Sequence, residues 1–361
     1  MYKNIEIFET DFKDKYLIIN NEKSIYGGFI IKEIVELLKQ DKDYKKITSE
    51  LSLKYKNNFE DEVINNIIVE KINPLLEKDK YTGFKKLFKI IDPNKISVPP
   101  FVEKYLINKN FYFLFIVSFV TNIIYFFHIK NIKYSTSPIE QIIIYVLLII
   151  ILIIHELGHS FSAKLFKVNV KEIGFAIYYI FPVFFINLNE SWKLDKMKRT
   201  IINLSGIYFQ LIIGNILIIS SSIIIIHNCI LEYLFKLNFL IIIYNLNPFI
   251  KFDGYWVLSD ILNENNLNKK SNEILGSFLK FENKKSSSIL LSYTLLKLLF
   301  YFWLFFHILT FLNLRISYII TYKNIEWIDL FIIVIILFII YNSLSNKKNN
   351  KNEHLRTKKT L

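Results

Sequence analysis

The pattern of apolar and polar positions changes character near residue 110. Before it, apolar residues recur singly within polar sequence. Lys15–Asn20 (KYLIIN) predicts a short strand, followed by a turn-prone stretch through Gly27 and Gly28. A helix comes next, with Ile30, Ile31, Ile34, Leu37 and Leu38 on one face. Asp43–Tyr55 predicts a second helix with Ile47 and Leu51 inward, and Phe59–Leu76 a third with Val63, Ile67, Ile68 and Ile72 at helical spacing. Strand and helices together predict a small α+β, winged-helix-like domain over residues 1–80. Residues 81–110 are basic, contain Pro93, Pro99 and Pro100, and read as a linker.

Beyond 110 the apolar positions run together, and runs approaching 20 residues are long enough to cross a bilayer. Six are expected: Phe111–Phe127, Pro138–Phe166, Thr200–Ile226, Ile230–Leu246, Ile289–Leu312 and the shorter Trp327–Tyr341. Gly174–Leu188 is also apolar, but it is short and contains Pro182, so it reads as a re-entrant or membrane-surface segment. The fold class is thus a polytopic α-helical membrane protein of about six spans over 111–345, preceded by the α+β domain and followed by a basic tail, 346–361. Placing residues 1–110 in the cytoplasm puts 167–199, 247–288 and 342–361 there too, and each of these stretches is rich in Lys and Arg. The opposite loops hold only Lys130, Lys133, Arg315 and Lys323. The positive-inside rule therefore predicts a multi-pass cell-membrane protein with both termini cytoplasmic. Met1–Asp14 is charged and lacks the apolar core of a signal peptide, in keeping with that orientation.

Composition changes this picture little. Apolar residues make up 52% of the 361, with 33 Phe and 22 Tyr, many at run ends where aromatic belts form. The net charge of +13 gathers beside the apolar runs, so the bilayer is the expected partner and nucleic acid is not. One cysteine, Cys229, excludes an internal disulfide and a multi-cysteine metal site.

The chemistry lies in His155-Glu156-Leu157-Gly158-His159, at the end of the second run. Residues four apart share a helix face. Two imidazoles so placed can grip one zinc ion, with the intervening Glu156 in reach of the water at the metal as general base. Ionisable groups inside an apolar run are costly and usually functional. A catalytic zinc needs a third ligand and one open position. Asp253, in Asn247–Trp256 (NPFIKFDGYW), is the candidate: Asn-Pro breaks the fourth run, Gly254 permits a tight turn, and the topology brings this break to the cytoplasmic level of His159. Spacing alone also allows a loop aspartate that caps a turn. The His2Asp set favours zinc among divalent metals. His128, His227 and His307 read as packed or interfacial and His354 as solvated; Glu190 near Trp192 reads as an interface anchor.

HELGH in one span and NPFIKFDG two spans later resemble the site-2 protease family of intramembrane zinc metalloproteases, over roughly residues 140–260. The resemblance implies His155, His159 and Asp253 as zinc ligands, Glu156 as base, and Asn247, at the family's Asn-Pro position, as a substrate contact. Residues 174–192 (GFAIYYIFPVFFINLNESW) and NPFIKFDGYW resemble a narrower branch, peptide zinc metalloproteases found beside peptide-modifying enzymes. The N-terminal domain resembles PqqD-like domains, winged-helix folds that bind the leader of a ribosomally made peptide. One departure concerns helix packing: the wider family usually carries Ala-Gly-Pro early in the next span, where this chain has Ser205-Gly206-Ile207.

The expected function is that of a membrane zinc endopeptidase. Its substrate would be a membrane-associated or ribosomally made precursor peptide, and its partners the bilayer and a peptide-modifying enzyme or transporter. Two rivals stand beside it: a peptide exporter or immunity protein keeping the metal fold, and a protease releasing a membrane-anchored regulator. The intact Glu156 speaks against the first, and the lack of a recognisable extracytoplasmic sensor domain against the second.

Overall fold

The structure, a computed structural model, describes residues 2–20, 23–76, 84–106, 110–129, 137–178, 181–223, 228–262, 264, 266–280 and 287–322. The chain forms two compact units, one through Asn266 and one from Leu267.

The first unit opens with an antiparallel meander, β1 (Glu6–Glu9), β2 (Tyr16–Asn20) and β3 (Lys23–Gly27), in that order in the sheet. The strand expected at KYLIIN is its centre, and β1 and β3 add partners on both sides. Three helices follow: α1 (Phe29–Lys39), α2 (Tyr44–Tyr55) and α3 (Asp61–Ile67). Asp43 starts α2 by accepting the Lys46 amide at 2.9 Å, and Lys56, with φ 52°, ends it in the left-handed region. The predicted third helix widens into a π turn at Ile68–Ile72, before the Pro74-containing α4 (Asn73–Leu76). Ile5, Ile18, Ile34, Val35, Leu38, Ile47, Leu51, Ile64 and Ile72 close a single core between sheet and helices. The helical stripes read from the sequence are the ones buried.

The stretch read as a linker contains β4 (Phe84–Ile91) and α5 (Pro100–Leu106). Gly174–Leu188, read as a re-entrant or membrane-surface segment, is a hairpin of β5 (Ile173–Tyr178) and β6 (Phe181–Ile186). The linker reading gives way, because β4 and the hairpin pair with each other. They form one antiparallel sheet in the order β4-β5-β6, in which Phe175 stacks on Phe88 and meets Phe184 edge to face across neighbouring strands. The pairing joins segments some 90 positions apart, and no local pattern announces it.

The core of this unit is helical: α6 (Phe111–His128), α7 (Pro138–Leu165), α8 (Lys196–Ile223), α9 (Asn228–Asn245) and α10 (Asp253–Leu262). A capping box starts α7: Ser137 accepts the Glu140 amide while Glu140 accepts the Ser137 amide, and Pro138 occupies the first turn. Ile144, Ile151, Ile207, Leu211, Leu234, Phe235, Phe239 and Ile242 bury the faces that α7, α8 and α9 share. In the second unit, α11 (Leu267–Leu279) packs on α12 (Ser288–Tyr322), where the buried Lys297 donates to Asn272 Oδ1 at 2.7 Å.

Among the described residues four helices are long and apolar enough to cross a membrane: α6, α7, α8 and α12. They coincide with the first, second, third and fifth expected spans. The fourth expected span is the helix α9, but Glu232, Lys236 and Asn238 lower its apolarity and it is not among the four. The sixth expected span and the basic tail lie outside the described residues.

Candidate metal centre

His155 and His159 lie one turn apart on α7 and face α8, only 5% and 3% exposed. Each ring is held through Nδ1. That of His155 lies 2.8 Å from Gln210 Oε1, and that of His159 lies 2.7 Å from the Ile202 carbonyl oxygen. Both partners are acceptors, so each Nδ1 carries the proton and each Nε2 presents a lone pair. The Gln210 amide cannot be read the other way round. Its Nε2 donates to Asn238 Oδ1 at 3.3 Å, and Asn238 Nδ2 donates back to the Gln210 carbonyl at 3.0 Å.

The two Nε2 atoms lie 3.0 Å apart, with Asp253 Oδ2 at 3.1 Å from one and 3.4 Å from the other. Asp253 Oδ2 is buried and receives no hydrogen bond. With each Nδ1 proton committed elsewhere, three atoms able to offer lone pairs face one another, an arrangement that a shared cation makes favourable. Two imidazole nitrogens and a carboxylate oxygen, all within 4.8 Å of one another, are a donor set that suits zinc. Glu156, next to His155, is buried beside this cluster.

Local structure explains how Asp253 arrives there. Helix α9 stops at Asn245 before Pro248, and Asn247 Oδ1 accepts the amides of Phe249 and Ile250 at 2.8 and 3.3 Å. The chain doubles back and α10 starts on Asp253. A Cβ on Gly254 would overlap the Leu246 carbonyl, so only glycine lets α10 begin this close to the end of α9. The turn therefore uses the Asn247 side-chain oxygen itself. A buried ion pair fastens the other end of α10: Arg199 Nε donates to Asp260 Oδ1 at 2.6 Å and Asn203 Nδ2 to Asp260 Oδ2 at 2.8 Å.

The sequence reading missed the contribution of α8. A Cβ on Gly206 would overlap His159 Nε2 and come within 2.8 Å of the His155 ring, so Gly206 keeps the space where the three ligands meet. Gly158 on α7 lies against Ser205 and Gly206 with equally little room, and Ser162 Oγ meets Ser205 Oγ at 2.5 Å. The departure from Ala-Gly-Pro thus supplies a polar clasp between α7 and α8 and keeps the glycine. A usable signal was present: Asn203 and Gln210 are polar residues in an apolar run, where polarity is rarely idle.

Among the described residues, His307 and Glu190 are not at the centre. His307 Nδ1 lies 3.0 Å from the Trp303 carbonyl, against the Trp303 ring. Glu190 is buried beside Lys193, and Trp192 packs edge-on to Trp256. His227 and His354 lie outside the described residues.

Comparison with known proteins agrees with the geometry. Residues 143–228 match the model of peptidase family M50, the site-2 protease family; the matched stretch holds the histidine pair, Glu156, Gly206 and Gln210 and ends before Asp253. The chain is 29% identical over 219 residues to the "Putative peptide zinc metalloprotease protein YydH" of Bacillus subtilis (strain 168), a match covering 57% of this chain and 82% of that protein. No solved structure matches the chain. The chain is thus similar to membrane zinc metalloproteases of the site-2 type.

Proposed function

We propose that this chain is a zinc-dependent membrane endopeptidase acting on a membrane-associated or ribosomally made precursor peptide. The observation that carries the proposal is the convergence of two Nδ1-anchored imidazoles and one otherwise unpartnered carboxylate oxygen on a single point. His155, His159 and Asp253 hold the metal. Bound zinc supplies Lewis acidity that polarises a peptide carbonyl and makes a water more acidic. Glu156 takes the proton from the attacking water and delivers it to the leaving amine nitrogen. Burial of the histidines and Glu156 keeps bulk water from competing. Asn247 lies on the same turn as Asp253; with its side-chain oxygen committed to the turn, it would meet substrate through its amide nitrogen.

The substrate class is supported by the likeness to a peptide zinc metalloprotease; the N-terminal α+β domain would deliver the peptide from the cytoplasmic side. A peptide-modifying enzyme or transporter would act before or after it. The test is Glu156→Gln in the full-length protein reconstituted in lipid. Zinc should remain bound while cleavage of the precursor, read by mass spectrometry of small peptides, falls by more than about 100-fold. Export or resistance that survives this change would favour the exporter reading instead, and retained cleavage would remove Glu156 from the mechanism.

A further inference from the structure

Helix α8 anchors both proposed histidine ligands and grips the helix that carries the third. Ile202 and Gln210 anchor the histidines, and Arg199 and Asn203 grip Asp260 on α10. Asp260 follows Asp253 by seven residues, two helical turns, so both stand on one face of a ten-residue helix. Rotation or sliding of α10 that frees Asp260 must therefore carry Asp253 away from the histidines. The pair has little room to adjust: the Arg199 and Asp260 side chains are 4% and 3% exposed, and Arg199 Nη1 also donates to the Leu194 carbonyl at 2.8 Å. Buried ion pairs add little net stability but demand one geometry.

The N-terminal domain closes the outer side of this pair. The Arg199 guanidinium lies 5.0 Å from the Trp192 ring and 5.9 Å from that of Phe12, which sits in the loop between β1 and β2. Phe12 meets Tyr26 edge to face, and the Tyr26 hydroxyl donates to the Trp192 carbonyl at 2.5 Å. Burial pushes that hydroxyl up to about 12, so it stays a donor at neutral pH. Asp11 completes the dock. Its amide donates to the Lys193 carbonyl at 2.8 Å, and its Oδ2 accepts from the Asp195 amide and from Lys198 Nζ at 3.0 and 2.8 Å. Trp192 in turn packs on Trp256, three residues after Asp253.

We infer that Arg199 and Asp260 are positioning residues for the third metal ligand, and that docking of the N-terminal domain through Asp11, Phe12 and Tyr26 holds them in place. The domain thereby regulates the metal centre: a peptide or partner that lifts it off Arg199 weakens the grip on zinc. This rests on the reading of His155, His159 and Asp253 as ligands.

The experiment measures zinc affinity of the purified full-length chain in detergent by competition with a chelating dye, together with the visible spectrum of the cobalt-loaded protein. Arg199→Met and Asp260→Asn should each weaken zinc by roughly 10- to 100-fold, the range expected for loss of an outer contact. Both should shift the cobalt spectrum toward that of Asp253→Ala. The domain-side triple variant Asp11→Asn, Phe12→Ala, Tyr26→Phe, which leaves the helical core intact, should do the same, and adding Arg199→Met to it should cost little more. If the core variants fail to fold by circular dichroism, the domain-side variant carries the test. His155→Ala separates the two readings: zinc binding unchanged by it would overturn the ligand assignment. Loss there, with native affinity and spectrum in the Arg199 and domain-side variants, would overturn the coupling.

Discussion

At the scale of single residues, the centre depends on atoms that are absent as much as on those present. Gly206 occupies a position of α8 where a side chain would enter the space between the histidines. Gly206→Ala should abolish zinc binding, a larger effect than the roughly 10- to 100-fold cost of an outer contact, while the helical circular dichroism stays native. Metal stoichiometry of the purified protein checks this, and one zinc per chain in the variant would refute it. The histidines and Glu156 were legible in the sequence, because HExxH at helical spacing is a local pattern; the broken apolar run made Asp253 only a candidate. Gly206, Gln210 and Asn238 were not. A glycine or an amide in a span shows its role only when a second helix lies against it, and that contact is a property of the packed pair.

Among the elements, the turn from α9 into α10 delivers the third proposed ligand. Asn247 closes it, Pro248 ends the helix and Gly254 admits the Leu246 backbone. Adding a methyl group at Gly254 should push α10 off α9 at an overpacking cost of about 1–3 kcal/mol and carry Asp253 out of range. Gly254→Ala is therefore expected to lose zinc with only a modest drop in the unfolding midpoint. Retained stoichiometric zinc would show that the approach can relax. Among the described residues, the helices of the N-terminal domain and the long apolar helices appear where their patterns placed them, because each is written in its own residues as a stripe or a run. The β4-β5-β6 sheet was missed because strand pairing is a relation between distant segments.

For the whole molecule, the distribution of Lys and Arg sets the expected topology. Residues 167–172, after α7, are predicted to face the cytoplasm, and residues 130–136, before it, the opposite side. Single cysteines introduced at Asn169 and Ser135, in a Cys229→Ser background, should react with a membrane-impermeant thiol reagent from opposite sides of sealed vesicles. Labelling of both from one side would invert or remove the span carrying the histidines. Two of the three proposed ligands, the proposed base between them and the membrane class were readable from sequence alone, since ligand spacing on one helix and the length of an apolar run need no partner segment. Tertiary structure decided which carboxylate meets the histidines, which nitrogen of each ring faces it, and what holds α10 in place. Those are distances between chain segments roughly 40 to 190 residues apart, such as His159 to Ile202 and Phe12 to Arg199, and only the folded packing of α7, α8, α10 and the N-terminal domain sets them.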